Sequence, residues 1–249
     1  MFARSATMKG NAKSSLHNTV ILSPDMKKTI PTKAEIALLK PFIGLPLECI
    51  HIPATNAQFA SATAEIKAAR IVGFDTESKP TFVTGVVSDG PHIVQFAVQG
   101  KAFIFQLYQA DCRQYLIELL QSDDVLKVGF GLKSDRGQIH TKLGVNLEAV
   151  LDLNSVFRKD GYRSDIGVRA AVGVVFNQKF HKSKKITTSN WALPHLTTNQ
   201  LLYAANDAYA ALMVLEALNL SQENLSTIGQ NPRILASPHI PELLPAAKD

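Results

Sequence analysis

Cysteine is scarce in this sequence, and so are segments that would direct a chain into or across a membrane. The cysteines among the 249 residues are Cys49 and Cys112, and their wide separation matches no zinc or redox motif. The N-terminus lacks the basic start, apolar run and cleavage site of a secretory signal. We find no apolar run near the roughly 18–20 residues that cross a bilayer. We therefore expect an intracellular protein with reduced cysteines and no membrane partner.

Charged residues are also few, at 19% against 46% hydrophobic residues, which is typical of a globular protein with a sizeable core. The formal net charge is +5, and residues 1–30 contain five basic residues against one acidic residue. We interpret residues 1–30 as a flexible basic tail, whose acid-poor composition leaves organelle targeting open beside a cytoplasmic or nuclear location. Residues 31–220 form the predicted folded domain, and the proline-rich residues 221–249 form a second predicted tail.

The hydrophobic pattern predicts a mixed α/β fold. After two N-terminal helices, three strands come in succession, then helices and strands alternate, and a long amphipathic helix follows. This order favours one mixed sheet with helices packed on its faces. The predicted strands cover residues 71–75, 92–98, 102–107, 125–130 and 149–153, and the predicted helices cover 34–39, 60–70, 110–121, 132–143, 166–176 and 196–220.

Two carboxylates, Asp75 and Glu77, stand at the end of the apolar run 71–74. Side chains two positions apart on a strand point to the same face, so the two charges repel unless a cation lies between them. Such a pair often begins a divalent-metal site. Taken alone, the pair is weak evidence, because most such pairs are ordinary solvated strand ends.

Further carboxylates occur in suggestive places later in the chain. Asp135 lies in the first turn of a predicted helix, just after a strand, where open α/β sheets place ligands; favourable interaction with the helix dipole is the simpler explanation. Tyr203 and Asp207 share one face of an alanine-rich helix. They could be a core tyrosine above a solvated aspartate, but burying an aspartate in an apolar helix is costly without a partner. Four oxygen ligands of this kind suit Mg²⁺ or Mn²⁺.

Three motifs contain these residues in order: Val-Gly-Phe-Asp-Thr-Glu at 72–77, Val-Gly-Phe-Gly-Leu-Lys-Ser-Asp at 128–135, and Leu-Leu-Tyr-Ala-Ala-Asn-Asp at 201–207. They resemble the DEDD superfamily of 3′–5′ exonucleases, and within it the group of the Werner syndrome helicase exonuclease domain and ribonuclease D. The chain is similar to the tyrosine branch (DEDDy), because Leu202 stands where the other branch has histidine. The resemblance covers roughly residues 45–220. It implies a ribonuclease H-like fold with five to six strands.

The resemblance also implies roles for the motif residues. Asp75, Glu77 and Asp207 would hold one metal ion, Asp75 would share a second, and Asp135 would act largely through coordinated water. Tyr203 would orient the attacking water. The implied reaction is hydrolysis of the terminal phosphodiester at a 3′ end, with two Mg²⁺ or Mn²⁺ ions. DNA is favoured as the polymer, with RNA processing of the ribonuclease D type and a non-catalytic nucleic-acid-binding relative as alternatives.

A basic run between the second and third motifs is a candidate for binding nucleic acid. The run covers residues 179–185, and no acidic residue lies between Phe176 and Trp191. We interpret residues 179–185 as a mobile loop contacting phosphates, with a merely solvated loop as the alternative. Trp191 is expected to be a core anchor. A homo-oligomer assembled through the tails is also compatible with the sequence. The residues assigned to nucleic acid are Thr76, Lys182, Lys184 and Lys185.

Overall fold

The computed structural model describes residues 28–81, 85 and 88–220. The predicted C-terminal tail and nearly all of the predicted N-terminal tail therefore lie outside the described residues, and the division into three segments stays a prediction. The described helices are α1 (Lys33–Ala37), α2 (Asn56–Ala69), α3 (Cys112–Gln121), α4 (Lys133–Leu143), α5 (Leu153–Lys159), α6 (Val168–Phe176), α7 (Lys184–Thr187) and α8 (Thr198–Leu218).

A six-stranded mixed sheet lies at the centre, in the order β2–β5–β4–β3–β6–β7. Strand β3 runs antiparallel to β4 and parallel to β6, so it occupies the middle of the sheet. A second, two-stranded sheet joins β1 to β8. The strands are β1 (Lys40–Pro41), β2 (Ile50–His51), β3 (Ile71–Glu77), β4 (Ile93–Val98), β5 (Lys101–Gln106), β6 (Leu126–Gly129), β7 (Val150–Asp152) and β8 (Gln178–Lys179).

Helices cover both faces of the large sheet, as predicted. On one face, apolar side chains of α2, α3 and α4 pack against alternate residues of the strands, Phe74 and Phe96 among them. On the other face lie α6 and α8. Because side chains alternate along a strand, the face that buries Phe74 is opposite the one that receives Asp75. The mixed α/β architecture expected from the sequence is confirmed, and the sheet has six strands.

Helix α8 lies unusually close to β3. A Cβ atom at Gly73 would come within 1.9 Å of the Ala208 carbonyl oxygen, so only glycine permits this approach. The side-chain amide of Asn206 accepts from the Leu45 amide at 2.6 Å and donates to its carbonyl at 3.2 Å. A capping box between Thr197 and Gln200 starts the helix, as its sequence predicted. The small residues of α8 therefore bring it directly onto the strand that bears the first motif.

The same helix corrects one expectation from the sequence. By length and composition alone, α8 could cross a membrane, although we found no apolar run of that kind. Its alanines Ala204, Ala205 and Ala208 are fully buried in the core of the domain. The apolar character of α8 is therefore explained by packing against the sheet, as in the central helix of many globular proteins.

Several elements escaped prediction. Helix α5 follows β7 directly, and the strands β1, β2 and β8 have two residues each, too few to show a hydrophobic period. Helix α2 begins at Asn56 rather than at residue 60, because the Thr55 hydroxyl accepts from the Gln58 amide and caps it. The segment 179–185, interpreted as a mobile loop, connects β8 to α7 and includes the last residue of β8 and the first two residues of α7. Its mobility and its contact with phosphates stay predictions.

Candidate active site

Three of the predicted site carboxylates meet in space. One oxygen from each of Asp75, Glu77 and Asp207 lies within 4.8 Å of the others. The first two project from the end of β3 toward α8, and the third projects from α8 toward them. The close approach at Gly73 is what allows helix and strand to share this cluster. The structure thus brings together the carboxylates of the first and third motifs.

The cluster is electrostatically strained without a cation. Burial, followed by the charges of Asp207 and Asp135, raises the pKa of Asp75 well above its ordinary value. Burial and the charge of Asp207 raise the pKa of Glu77 to about 8. Burial also raises the pKa of Asp207, although Lys182 opposes that rise. Even with Lys182 in place, each group therefore resists ionisation until further positive charge is supplied.

The donor atoms fit a divalent metal ion. Asp207 is 4% exposed, and its Oδ1 atom is buried without a hydrogen-bond partner among the described residues. A buried oxygen of this kind is costly unless something binds it. All three ligand groups are carboxylates, which are preferred by Mg²⁺ and Mn²⁺. Asp75, Glu77 and Asp207 could hold such an ion.

Asp135 lies nearby but outside this group of three. It occupies the first turn of α4, as predicted, and its carboxylate accepts a hydrogen bond from the Thr76 hydroxyl. Burial raises its pKa, and the bond from Thr76 opposes the rise. Thr76, which we assigned to nucleic acid, therefore orients the carboxylate of the second motif. Its contact with nucleic acid stays a prediction.

The tyrosine of the third motif is buried above the carboxylates. Tyr203 is 6% exposed, and its hydroxyl lies 3.0 Å from the Thr187 hydroxyl, which donates to it. Its ring centroid lies 5.9 Å from that of Trp191, which is 1% exposed and is thus confirmed as a core anchor. Burial and the charge of Asp207 raise the pKa of Tyr203. The phenol therefore stays protonated at neutral pH and can orient a water but not act as a strong base.

The three predicted lysines have different surroundings. Lys184 and Lys185 are exposed on the short helix α7, where phosphates could reach them. The Lys182 ammonium instead donates to Asp207 Oδ2 at 2.9 Å. All three assignments to nucleic acid stay predictions. Sequence reasoning missed the Lys182–Asp207 ion pair, since 25 positions separate the two residues and no local pattern joins them.

Two other polar residues near the site were missed. The Asp152 carboxylate accepts from the Gly131 and Leu132 amides at 3.1 and 3.0 Å and so fixes the start of α4. Its position at the carboxyl end of a parallel strand, where α/β sheets place functional residues, could have identified Asp152 from the sequence. Gln95 pairs with Asp75 across the strands, is fully buried, and has no side-chain hydrogen-bond partner among the described residues. No sequence pattern separates this glutamine from an ordinary strand residue.

A cavity of about 780 Å³ opens beside Tyr203. It lies between the segment around α7 and the first turns of α8. Its wall combines apolar surface with polar side chains and includes Phe42, Phe180, His181, Lys185, Asn190 and Tyr203. The volume is that of a small-molecule pocket. Tyr203 lines it, whereas Asp75, Glu77 and Asp207 do not.

Comparisons with known proteins agree with this geometry. A family model described as 3′–5′ exonuclease matches residues 50–223. The mouse bifunctional 3′–5′ exonuclease/ATP-dependent helicase WRN is 28% identical over 202 residues, which cover 74% of this chain. The chain spans only 14% of that relative's length.

Solved structures show the same fold. The exonuclease domain of Aedes aegypti Nibbler superimposes with a TM-score of 0.60 and 23% identity, covering 77% of this chain and 95% of that one. Trypanosoma brucei RNase D, in complex with RNA, superimposes with a TM-score of 0.62 and 19% identity, covering 70% of this chain and 64% of that one. At these identities the likeness supports the ribonuclease H-like fold, and function must be argued from the site.

Proposed function

Because the chain belongs to the 3′–5′ exonuclease family, we propose that it is a metal-dependent enzyme that removes 5′-mononucleotides from the 3′ ends of DNA. The observation that carries the proposal is the meeting of Asp75, Glu77 and Asp207 within 4.8 Å. Their raised pKa values and the unpartnered Asp207 oxygen support a site built for cations.

The proposed mechanism uses two Mg²⁺ or Mn²⁺ ions. When bound, a pair of divalent ions supplies an activated water near neutral pH and neutralises charge on the leaving oxygen. Asp75, Glu77 and Asp207 would hold the ions, and Asp135 would contribute through water. Tyr203, protonated and fixed by Thr187, orients the attacking water by a hydrogen bond. Lys184 and Lys185 contact phosphates of the bound strand.

DNA is the proposed polymer, as single strands or recessed 3′ ends. The proposal is supported by the match to the helicase-associated exonuclease over 74% of the chain at 28% identity. The RNase D structure, which contains RNA, is 19% identical. An RNA-processing enzyme with the same carboxylates is therefore the second candidate. We also propose an intracellular location, which follows from the reduced cysteines expected from the sequence.

The proposal is tested with matched 5′-labelled DNA and RNA oligonucleotides, incubated with Mg²⁺, Mn²⁺ or EDTA. Asp75→Asn removes one ligand charge at constant shape, and Asp124→Asn is its control at an exposed site. We expect a metal-dependent ladder of DNA shortened from the 3′ end. The ladder should be lost in Asp75→Asn and retained in Asp124→Asn. A ladder on RNA alone would select the second candidate. No shortening of either polymer by folded, metal-supplied protein would favour a non-catalytic binding role.

A further inference from the structure

One lysine of the basic segment reaches into the carboxylate cluster. The side chain of Lys182 is 34% exposed, whereas that of its partner Asp207 is 3% exposed. The ammonium also lies 5.4 Å from the centre of the Tyr203 ring. An ion pair with one member this deeply buried differs from a surface pair, because Asp207 has little water to replace the lysine.

The Lys182 ammonium lies where a positive charge can offset the negative charge of the carboxylates. Asp207 is one of the three carboxylates that come within 4.8 Å of one another. The charge of Lys182 acts on the other two as well, since it opposes the rise in the pKa of both Asp75 and Glu77. A metal ion bound to Asp207 and the ammonium on Oδ2 would bring two cations to one carboxylate, where they repel each other.

The Lys182 ammonium can move away from Asp207 without a change in the backbone. Arg169 on α6 donates to the Lys182 carbonyl oxygen at 2.6 Å, which fixes the main chain at this point. The side chain is a flexible four-carbon stem, and its partial exposure provides a path to solvent. Rotation about side-chain bonds is therefore enough to move the ammonium away from Asp207.

We propose that Lys182 is a built-in placeholder for the metal: its ammonium neutralises Asp207 in the metal-free protein and is displaced into solvent when a divalent ion binds. This inference rests on the proposed function, because it assumes that the cluster binds metal. Displacement also frees a positive charge next to Lys184 and Lys185, on the segment assigned to phosphate binding. Metal binding would therefore make the basic segment 179–185 more available to the phosphates of a nucleic-acid strand.

Displacement can be measured on the native protein by pulsed acetylation of lysines, followed by digestion with a non-tryptic protease and mass spectrometry. Adding Mn²⁺ should raise the labelling rate of Lys182 at least threefold and leave that of Lys184, exposed on the same segment, unchanged. In Asp207→Asn, which weakens the ion pair, Lys182 should react quickly without metal. An unchanged or slower rate at Lys182 with Mn²⁺ bound would overturn the proposal, as would an equal rise at Lys184.

Mn²⁺ affinity, measured by calorimetry, provides the second test. Since the placeholder must be displaced before metal binds, its removal should tighten binding. We expect Lys182→Met to lower the Kd for Mn²⁺ about tenfold, Lys182→Arg to stay near the native value, and Lys184→Met to change it less than twofold. Equal affinities for the native protein and Lys182→Met would refute the placeholder and leave the exonuclease proposal intact. Absence of any Mn²⁺ binding by the native protein would refute both.

Discussion

The carboxylate cluster should make the metal-free protein less stable than a variant lacking one of its charges. Glu77→Gln is the informative change, because glutamine keeps the shape of the side chain and cannot ionise. In the folded protein, burial and the charge of Asp207 raise the pKa of Glu77 from 4.5 to about 8. The folded chain therefore retains a proton that the unfolded chain releases as the pH rises through this range, and the free energy of unfolding falls accordingly.

The size of this effect follows from the pKa. Each tenfold change in a proton-binding constant is worth about 1.36 kcal/mol, so the rise at Glu77 costs the folded state at most about 5 kcal/mol above pH 8. Partial exposure of the carboxylate reduces the expected gain in Glu77→Gln to about 2–4 kcal/mol at pH 9. Well below pH 4.5, where the native side chain is protonated in both the folded and the unfolded state, the gain should vanish.

Urea unfolding in EDTA, followed by fluorescence from pH 5 to 9, measures the difference directly. The single tryptophan of the chain is Trp191, buried against Tyr203, so its emission reports on the site. Glu48→Gln, at an exposed position, is the matched control and should stay within about 0.5 kcal/mol of the native protein. Adding Mn²⁺ should stabilise the native protein more than Glu77→Gln, which has lost a ligand.

Two outcomes would refute the reasoning. If Glu77→Gln were no more stable than the native protein at pH 9 in EDTA, the cluster would carry no electrostatic cost. If the gain were the same at pH 5 and pH 9, it would come from packing rather than from ionisation. Either result would remove the argument that these carboxylates were assembled for a cation.

Three further predictions concern other parts of the site and its support. Tyr203→Phe should lower kcat about tenfold to a thousandfold, with little change in Mn²⁺ affinity, because it removes only the hydroxyl that orients the water; an unchanged rate would exclude that role. Gly73→Ala should destabilise the fold by at least about 2 kcal/mol, because its Cβ would lie 1.9 Å from a carbonyl of α8. Gly137→Ala, at an open position within α4, should instead stabilise the fold by about 1 kcal/mol. If chemical denaturation gave the same change in the free energy of unfolding for Gly73→Ala and Gly137→Ala, this account would be contradicted. Burial lowers the pKa of Lys127 to about 7, so the unfolded chain binds a proton that the folded chain does not, and the free energy of unfolding should rise between pH 7 and 9. Lys127→Met should lose that rise. Identical pH profiles of stability for the native protein and Lys127→Met would refute this prediction.

Much of the fold was predictable because its elements leave local patterns. The central strand around Asp75 was visible as a continuous apolar run, and the long helix was visible from its caps and periodicity. Helix α5 was missed because it follows β7 without a turn signal between them. Strands β1 and β8 were missed because each has two residues and is defined only by its partner. Elements that depend on a distant partner leave little trace in the local sequence.

The sequence by itself determined which carboxylates and which tyrosine can share a face of their own element. The spacing of Asp75 and Glu77, and of Tyr203 and Asp207, places each pair on one face of its own strand or helix, since the periods of these structures are set by backbone geometry. Only the tertiary structure decided how the two pairs meet, through the close approach of α8 to Gly73. It also decided that Lys182 pairs with Asp207 and that Thr76 holds Asp135. These contacts join segments far apart in the chain, where packing and electrostatics act through space and no period in the sequence records them.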